Sequence, residues 1–214
     1  MNQYHKIDSL FERDMQGTRK LIEGKFRNPV VEYIKDNEWI FTEKIDGTNI
    51  RVFWDGHKVS FGGRTDNAQI PANLVQVLQD KFMGNEAEEL FEQKFGEDEV
   101  TFYGEGFGEK IQKGGGLYGA VDFILFDIQV GDIYLQREDI EELAKTFSLR
   151  IVPIILEGTI EEAVALVKSG LRSSVAEQEK IAEGLVGTPK VRLLDVRGKR
   201  VIVKIKTEDF VLQN

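Results

Sequence analysis

Cysteine is absent from the sequence, and this absence excludes disulfide bonds, thiolate metal sites and catalysis by a cysteine nucleophile. Long hydrophobic runs are also absent: no apolar stretch approaches the roughly 18 residues that a membrane-spanning helix needs. We therefore expect no membrane partner and a cytoplasmic location. Positive charge is in deficit, and the formal net charge of -9 argues against a nucleic-acid partner, because proteins that bind phosphates usually carry a basic surface.

The uneven distribution of charge weakens that argument. The acidic residues cluster in four stretches, at 86–89, 97–99, 138–142 and 157–162. Outside these stretches lie basic residues that could line one groove: Arg51, Arg64, Lys110, Lys113, Lys190, Arg192, Lys204 and Lys206. A uniformly acidic surface with solvated basic side chains is the plain alternative.

The composition is that of one folded globular domain. The chain has 214 residues, of which 41% are hydrophobic and 30% charged, and such proportions are typical of globular proteins. This length suffices for one substantial core. No repeat or low-complexity linker interrupts the sequence, so residues 1–214 are predicted to form a single domain.

Apolar periodicity predicts the secondary structure. Strands are predicted at 38–45, 49–54, 58–62, 100–107, 121–130, 184–187, 190–194 and 200–207. Helices are predicted at 73–83, 86–95, 137–147 and 159–168. Asp55-Gly56 and Arg197-Gly198 are typical of tight hairpin turns. These elements indicate an α+β fold with mixed, mainly antiparallel sheets and flanking helices.

Lys44-Ile45-Asp46-Gly47 places a lysine near the end of an apolar strand. Burial of an amine and nearby cations both favour its neutral form, which a nucleophile must present. A surface lysine before an Asp-Gly turn is the more common interpretation when the tetrapeptide stands alone.

Val201-Ile202-Val203-Lys204-Ile205-Lys206 alternates in character. In a strand, Lys204 and Lys206 share one face, and Val201, Val203 and Ile205 share the other. Two such lysines could neutralise charge on a phosphate during transfer. An amphipathic surface strand with a solvated basic face is the alternative.

Lys44-Ile45-Asp46-Gly47-Thr48-Asn49 resembles the nucleophile motif of the covalent nucleotidyltransferases, the superfamily of DNA ligases, RNA ligases and mRNA capping enzymes. Other segments resemble the RNA ligase branch best, particularly the RNA ligase 2 family, and they follow in order along nearly the whole chain. The resemblance implies a nucleotidyltransferase domain of the ATP-grasp-like ligase type. In it, Lys44 carries AMP, while Lys204 and Lys206 contact the α-phosphate.

Two further segments match motifs for the sugar and the phosphate. Gly62-Gly63-Arg64-Thr65 implies that Arg64 contacts the AMP phosphate or the RNA end; a solvent-exposed arginine at a hairpin end is the alternative. Tyr103-Gly104-Glu105-Gly106-Phe107-Gly108 resembles the segment with the family's ribose-binding glutamate, which makes Glu105 the candidate. An ionised carboxylate suits a sugar hydroxyl because it only accepts hydrogen bonds.

Two more segments match motifs for the base and the metal. Phe123-Ile124-Leu125-Phe126-Asp127-Ile128 implies that Phe126 stacks on adenine, although an aromatic in an apolar strand is more often part of the core. Glu183-Gly184-Leu185-Val186 implies that Glu183 serves the divalent metal; a helix-end carboxylate is the alternative.

The same comparison implies that the backbone around Glu43 and Ile45, and the side chain of Asn49, help to hold the nucleotide. The implied activity is that of an ATP-dependent RNA ligase with Mg2+ or Mn2+. It would join 3'-hydroxyl and 5'-phosphate RNA ends through a lysyl-AMP intermediate and an adenylated 5' end. Its role would be RNA repair, as for the repair ligases that phages carry. A minimal ATP-dependent DNA ligase and a non-catalytic nucleotide- or RNA-binding module with the same fold are the alternatives.

The implied partner is a pair of RNA ends in a nicked duplex or an RNA/DNA hybrid. Relatives usually continue past the last lysine motif into a C-terminal domain that grips RNA, whereas residues 207–214 alone follow Lys206 here. We therefore expect either that the catalytic domain suffices or that a partner protein supplies extra grip.

Overall fold

The structure is a computed structural model that describes residues 2–211. The strands are β1 (Asp8–Ser9), β2 (Phe11–Arg13), β3 (Leu21–Phe26), β4 (Trp39–Lys44), β5 (Thr48–Trp54), β6 (Val59–Gly62), β7 (Val100–Phe107), β8 (Asp122–Val130), β9 (Ile133–Tyr134), β10 (Arg150–Ile151), β11 (Ile154–Gly158), β12 (Gly184–Pro189) and β13 (Val203–Lys206). The helices are α1 (Pro29–Tyr33), α2 (Ala72–Phe82), α3 (Asn85–Phe95), α4 (Arg137–Thr146), α5 (Ile160–Lys168) and α6 (Glu208–Val211), with a 3-10 helix at Gly115–Tyr118.

The chain divides into two compact units. Unit 1 comprises Asp46–Val152 and the N-terminal residues up to His5, and unit 2 comprises Lys6–Ile45 and Pro153–Asn214. The assignment of residues 1–214 to one domain stays a prediction. Within the described residues, no helix is long and apolar enough to cross a membrane.

Unit 1 is built on a sheet with the strand order β10-β8-β7-β5-β6, and β9 pairs with β8. The long strands pair antiparallel, while β10 runs parallel to β8. Successive side chains of a strand point to opposite faces. In β5, Ile50 and Val52 therefore enter the core, and Asn49 and Arg51 lie on the other face.

Helices α2, α3 and α4 contribute to the core on the first face of this sheet. Leu74, Leu78 and Phe82 follow one another at the i, i+4 spacing of α2 and have no exposed surface, so they form the buried stripe of an amphipathic helix. Phe91 of α3 joins them, and its ring centroid lies 5.3 Å from that of Phe102 in β7.

Unit 2 is built on a sheet with the strand order β1-β13-β12-β4-β11, beside a two-stranded hairpin of β2 and β3. Its core contains Trp39 and Phe41 of β4, Leu185 of β12, and the apolar face of α5. Helix α5 starts at a capping box in which Thr159 and Glu162 satisfy each other's backbone N–H groups. Along the central strands, the core side chains alternate with side chains on the opposite face of the sheet, where polar groups can lie.

The predicted α+β class, with mainly antiparallel sheets and flanking helices, is confirmed. The predicted strand at 190–194 is wrong. Val191 and Leu194 are 74% and 60% exposed, and Leu193 is the one apolar side chain of this stretch that packs against the core of unit 2. Instead Asp195 accepts backbone hydrogen bonds from Arg197 and Lys199 and closes a turn, and the following strand is limited to Val203–Lys206.

Candidate active site

Lys44 is the last residue of β4, and strand register brings it next to the other lysine segment of unit 2. Gly184 of β12 pairs with Lys44 on one side and with Lys206 of β13 on the other. Glycine is required here, because a Cβ at position 184 would lie 2.0 Å from the Ile205 carbonyl oxygen. The close approach of the three strands thus places Lys44 and Lys206 on either side of Gly184.

Glu183, which precedes Gly184, joins the two lysines. Its Oε2 lies 2.6 Å from Lys44 Nζ, and its Oε1 lies 3.2 Å from Lys206 Nζ. The backbone of Glu183 is itself fixed, since Thr207 N–H donates to its carbonyl oxygen at 2.9 Å. We call Lys44, Glu183 and Lys206 the lysine–carboxylate cluster. The three side chains are 21% to 25% exposed, so solutes can reach them.

Lys206 also contacts Glu208 of α6, with 3.0 Å between Nζ and Oε1. Burial lowers the pKa of Lys206, but the Glu208 hydrogen bond and the charges of Glu183 and Glu208 outweigh it, so the pKa lies above its ordinary value. The same hydrogen bond lowers the pKa of the Glu208 carboxyl. Lys206 therefore carries a positive charge throughout the neutral and mildly alkaline range.

Lys204 lies on the same face of β13 as Lys206, as the alternation of the sequence predicts. Its register partners are Val186 on β12 and Ser9 on β1, and its carbonyl oxygen accepts the Leu10 N–H at 3.0 Å. Val203 and Ile205 point to the other face and are buried in the core of unit 2. The strand therefore has a buried apolar face and an opposite face with two lysines.

Glu43 points away from Lys44, into the interior of unit 2. It is 2% exposed, and its carboxylate accepts hydrogen bonds from the Ser173 hydroxyl and from the Ser174 N–H and hydroxyl. Its backbone N–H donates to the Pro153 carbonyl oxygen at 3.1 Å. Glu43 thus anchors the end of β4, and the neighbouring Ile45 is 4% exposed.

The remainder of the motif belongs to unit 1. Tyr118 is 1% exposed, and its hydroxyl oxygen accepts the Asp46 N–H at 3.2 Å. A Cβ on Gly47 would lie 2.3 Å from the Gly106 carbonyl oxygen and 2.8 Å from Glu105 Cγ. The motif requires glycine because its backbone packs directly against the strand that carries Glu105.

Asn49 and Glu105 are direct cross-strand partners on the face of the unit 1 sheet that points away from its helices. The side-chain oxygen of Asn49 is buried and has no hydrogen-bond partner among residues 2–211. A buried polar atom without a partner costs about 1 to 3 kcal/mol. This face therefore has an acceptor atom that a ligand N–H or O–H would satisfy.

Arg64 is exposed on the loop after β6, and the loop is held by Arg51. The Arg51 side chain is fully buried; its Nε donates to the Gly63 carbonyl oxygen at 2.7 Å, and its Nη2 lies 2.8 Å from Asp66 Oδ1. The Arg51 hydrogen bond lowers the pKa of the Asp66 carboxyl. Arg51 thus binds the loop on both sides of Arg64.

Arg51 is one of the basic residues that the sequence suggested for a groove, but its side chain is fully buried and supports the loop instead. Arg51 stands between Ile50 and Val52, where its charge interrupts an apolar run, and it has the same strand parity as Asn49. A charged residue in this setting predicts a buried partner. Only the tertiary structure identifies that partner as the loop carrying Arg64.

Phe126 lies outside the core of unit 1, where Phe123, Leu125 and Ile128 are buried. The register of β7 and β8 shifts at this point, so that Phe126 has no directly paired residue on β7. Its ring is half-buried and meets Tyr4 edge-on, with 5.1 Å between centroids. The interpretation of Phe126 as an ordinary core aromatic is therefore not supported.

A divalent cation would find one candidate ligand in the lysine–carboxylate cluster, Glu183. No group of three or more His, Cys, Asp or Glu side chains converges as a metal site among the described residues. Mg2+ often binds through one or two carboxylates, with water and substrate phosphates as its other ligands. A single carboxylate beside two lysines fits a cation that arrives with a phosphate-bearing substrate.

The family model described as RNA ligase matches residues 37–206, more than half of the chain and every predicted site residue. The chain belongs to the RNA ligase family. No protein of curated function matches this sequence.

Solved structures of an RNA ligase from Naegleria gruberi share this fold. One apo variant is 23% identical with a TM-score of 0.64, and the match covers 87% of this chain and 54% of that one. A variant with ATP and Mn is 22% identical with a TM-score of 0.65, and the match covers 98% of this chain and 62% of that one. The complex with PPi has a TM-score of 0.63 at 22% identity, with 87% of this chain and 54% of that chain covered. This RNA ligase family member thus spans about half to three-fifths of the length of those chains.

Proposed function

We propose that this RNA ligase family member is an ATP-dependent enzyme that joins RNA ends through AMP covalently bound to Lys44. The observation that carries the proposal is the lysine–carboxylate cluster, in which one carboxylate bonds a candidate nucleophile and a second lysine. An amine nucleophile, a cation for the phosphate oxygens and a ligand for a divalent metal thus lie within one unit. These are the groups that transfer of a nucleotidyl group to an amine needs.

In the first step, Lys44 Nζ attacks the α-phosphate of ATP. A nitrogen–phosphorus bond forms, the bond from the α-phosphorus to the bridging oxygen breaks, and pyrophosphate leaves. Lys44 attacks as a neutral amine, so its ion pair with Glu183 must first open and its proton must pass to solvent. Lys206 and Lys204 neutralise charge on the phosphate oxygens, while bound Mg2+ or Mn2+ near Glu183 would supply further neutralisation as a Lewis acid.

In the second step, the AMP group moves from Lys44 to the 5'-phosphate of an RNA end. In the third, the 3'-hydroxyl of the neighbouring RNA end attacks that phosphate, and AMP leaves as the phosphodiester forms. The protein supplies little covalent chemistry beyond Lys44, so the rates depend on positioning and charge. Arg64, on the loop fixed by Arg51, is the proposed contact to a phosphate of AMP or of the RNA end.

The polar face of the unit 1 sheet is proposed to hold the adenosine. Glu105 would accept hydrogen bonds from ribose hydroxyls, and the unsatisfied oxygen of Asn49 offers a second acceptor. Phe126 would stack on adenine. Support for this assignment is that Asn49 and Glu105 are adjacent in register and that Phe126 lies outside the core.

A matched pair of phenylalanines in β8 tests the stacking role. Phe126→Ala is expected to raise the KM for ATP roughly 5- to 150-fold, as the loss of one base stack worth about 1 to 3 kcal/mol requires, with little change in Tm. Phe123→Ala is expected to lower the stability by about 3 to 5 kcal/mol, because that ring is fully buried. Equal losses of stability in the two variants would contradict the role proposed for Phe126.

Intact mass after incubation with ATP and Mg2+ tests the activity directly. The expected result is one AMP per chain, followed by sealing of a nicked duplex. Substrates that differ in having RNA or DNA at the 3'-hydroxyl side decide between an RNA ligase and a minimal DNA ligase. Binding of ATP without any mass increase would instead indicate a non-catalytic nucleotide-binding module. Comparison of nicked RNA duplexes with RNA/DNA hybrids would define the physiological substrate in RNA repair.

A further inference from the structure

A cavity of about 190 Å³ lies in unit 2 beside the lysine–carboxylate cluster. Its walls come from the loop that joins β2 and β3 and from the start of α6. The lining residues are Arg13, Thr18, Arg19, Lys20, Leu21, Glu208 and Asp209. Pockets for drug-sized ligands are typically about 300 to 1,000 Å³, so this cavity suits a smaller group than a whole nucleotide.

The loop is held in a fixed shape by Asp14. The Asp14 carboxylate accepts the backbone N–H groups of Gly17 at 2.9 Å and Thr18 at 2.8 Å. The hydrogen bond from Thr18 N–H is the main reason that the pKa of Asp14 lies below its ordinary value. Arg19 adopts a positive φ of 57°, a conformation that non-glycine residues adopt rarely and that clusters at functional sites.

The acidic groups of the cavity are already engaged by cations. Arg13 forms an ion pair with Asp209, and Glu208 is bonded to Lys206. The side chains of Arg19 and Lys20 are exposed, and neither has a carboxylate partner within residues 2–211. Two positive charges thus remain available on a chain whose formal net charge is -9.

One carboxylate connects the cavity with the lysine–carboxylate cluster. Glu208 lines the cavity and lies 3.0 Å from Lys206 Nζ, and Lys206 in turn contacts Glu183 of the lysine–carboxylate cluster. A phosphate in the cavity would therefore lie near the phosphate that is proposed to react. Arginine and lysine side chains are the usual ligands of such a group.

We propose that Arg19 and Lys20, on the β2–β3 loop that Asp14 holds by hydrogen bonds, form a second phosphate-binding subsite beside Lys206. It binds a phosphate that does not itself react. This inference rests on the proposed function. The phosphate oxygens come either from the RNA strand next to its 5' end or from the β- and γ-phosphates of ATP, and the two sources have the same recognition chemistry.

The double variant Arg19→Ala/Lys20→Ala tests the subsite in two assays. One measures the KM for ATP in adenylation of the protein. The other measures the KM for a pre-adenylated nicked duplex, whose sealing does not need ATP. One of the two KM values is expected to rise roughly tenfold. A change of this size corresponds to the binding free energy of about one charge-assisted hydrogen bond. A rise in the first assay identifies ATP as the source, and a rise in the second identifies the RNA strand.

The salt dependence separates a phosphate contact from a structural effect. If the subsite binds RNA, the plot of log KM against log salt for the nicked duplex should become shallower in the variant by up to about one unit per lost contact. If it binds ATP, the KM for ATP should become less sensitive to salt. Lys25→Ala is the matched control, because Lys25 lies on the same hairpin, is 59% exposed and pairs with Glu12.

Unchanged KM values and salt slopes in both assays, in a protein whose unaltered form is adenylated and seals, would overturn the subsite alone. Failure of the unaltered protein to be adenylated would instead overturn the proposed function. The Tm of the double variant should match that of the unaltered protein, since both side chains are exposed. A fall in Tm with a proportional loss in both assays and no change in salt slope would count against the subsite.

Discussion

Lys44→Ala is expected to eliminate the covalent AMP adduct completely. The variant lacks the only atom proposed to form the nitrogen–phosphorus bond, and no neighbouring group replaces it, since Lys206 is held by Glu183 and Glu208. The fold should persist, because Glu183 keeps its ion pair with Lys206 when Lys44 is removed. Intact mass after incubation with ATP and Mg2+ measures this result.

A second measurement separates loss of the nucleophile from general damage to the site. Lys44→Ala should still seal a strand that is already adenylated, because that reaction begins after the step that Lys44 performs. Lys35→Ala, which removes an exposed lysine elsewhere in unit 2, should be adenylated normally. Full labelling of the Lys44 variant would refute the assignment of the nucleophile.

Lys206→Ala is expected to slow adenylation by about 100- to 1,000-fold, the effect of removing one preorganised group that stabilises transition-state charge. Lys206 has a pKa above its ordinary value, so the variant loses a positive charge at every pH used in an assay. Single-turnover adenylation at saturating ATP measures the effect. Glu105→Gln, which alters the proposed ribose contact, should reduce this rate less.

The pH dependence of adenylation in the Lys206→Ala variant tests whether the charge of Lys206 affects the nucleophile. A positive charge near an amine favours its neutral form, so loss of that charge makes deprotonation of the nucleophile harder. The rise of the adenylation rate should therefore move to higher pH. A slower reaction with an unmoved profile would show that Lys206 acts on the phosphate alone.

The long elements followed from the sequence because their side-chain patterns are strong. The predicted strand at 100–107 and the helix at 137–147 match β7 and α4 within one residue, since β7 is buried along almost its whole length and α4 buries one apolar stripe. The short strands β1, β2 and β10 have two or three residues each. Such strands are defined by their partners in the sheet, and a local pattern cannot predict them.

The candidate site divides in the same way. The sequence alone determined the chemical groups and their parity: a lysine at a strand end, two lysines on one face of a strand, and a carboxylate before a glycine. Only the tertiary structure decided that Glu183 bonds both Lys44 and Lys206, that Glu43 points into the interior, and that Arg51 holds the Arg64 loop. Register between β4 and β12, whose paired residues are more than a hundred positions apart, brings Glu183 to Lys44, and the spacing of residues along the chain does not predict that register.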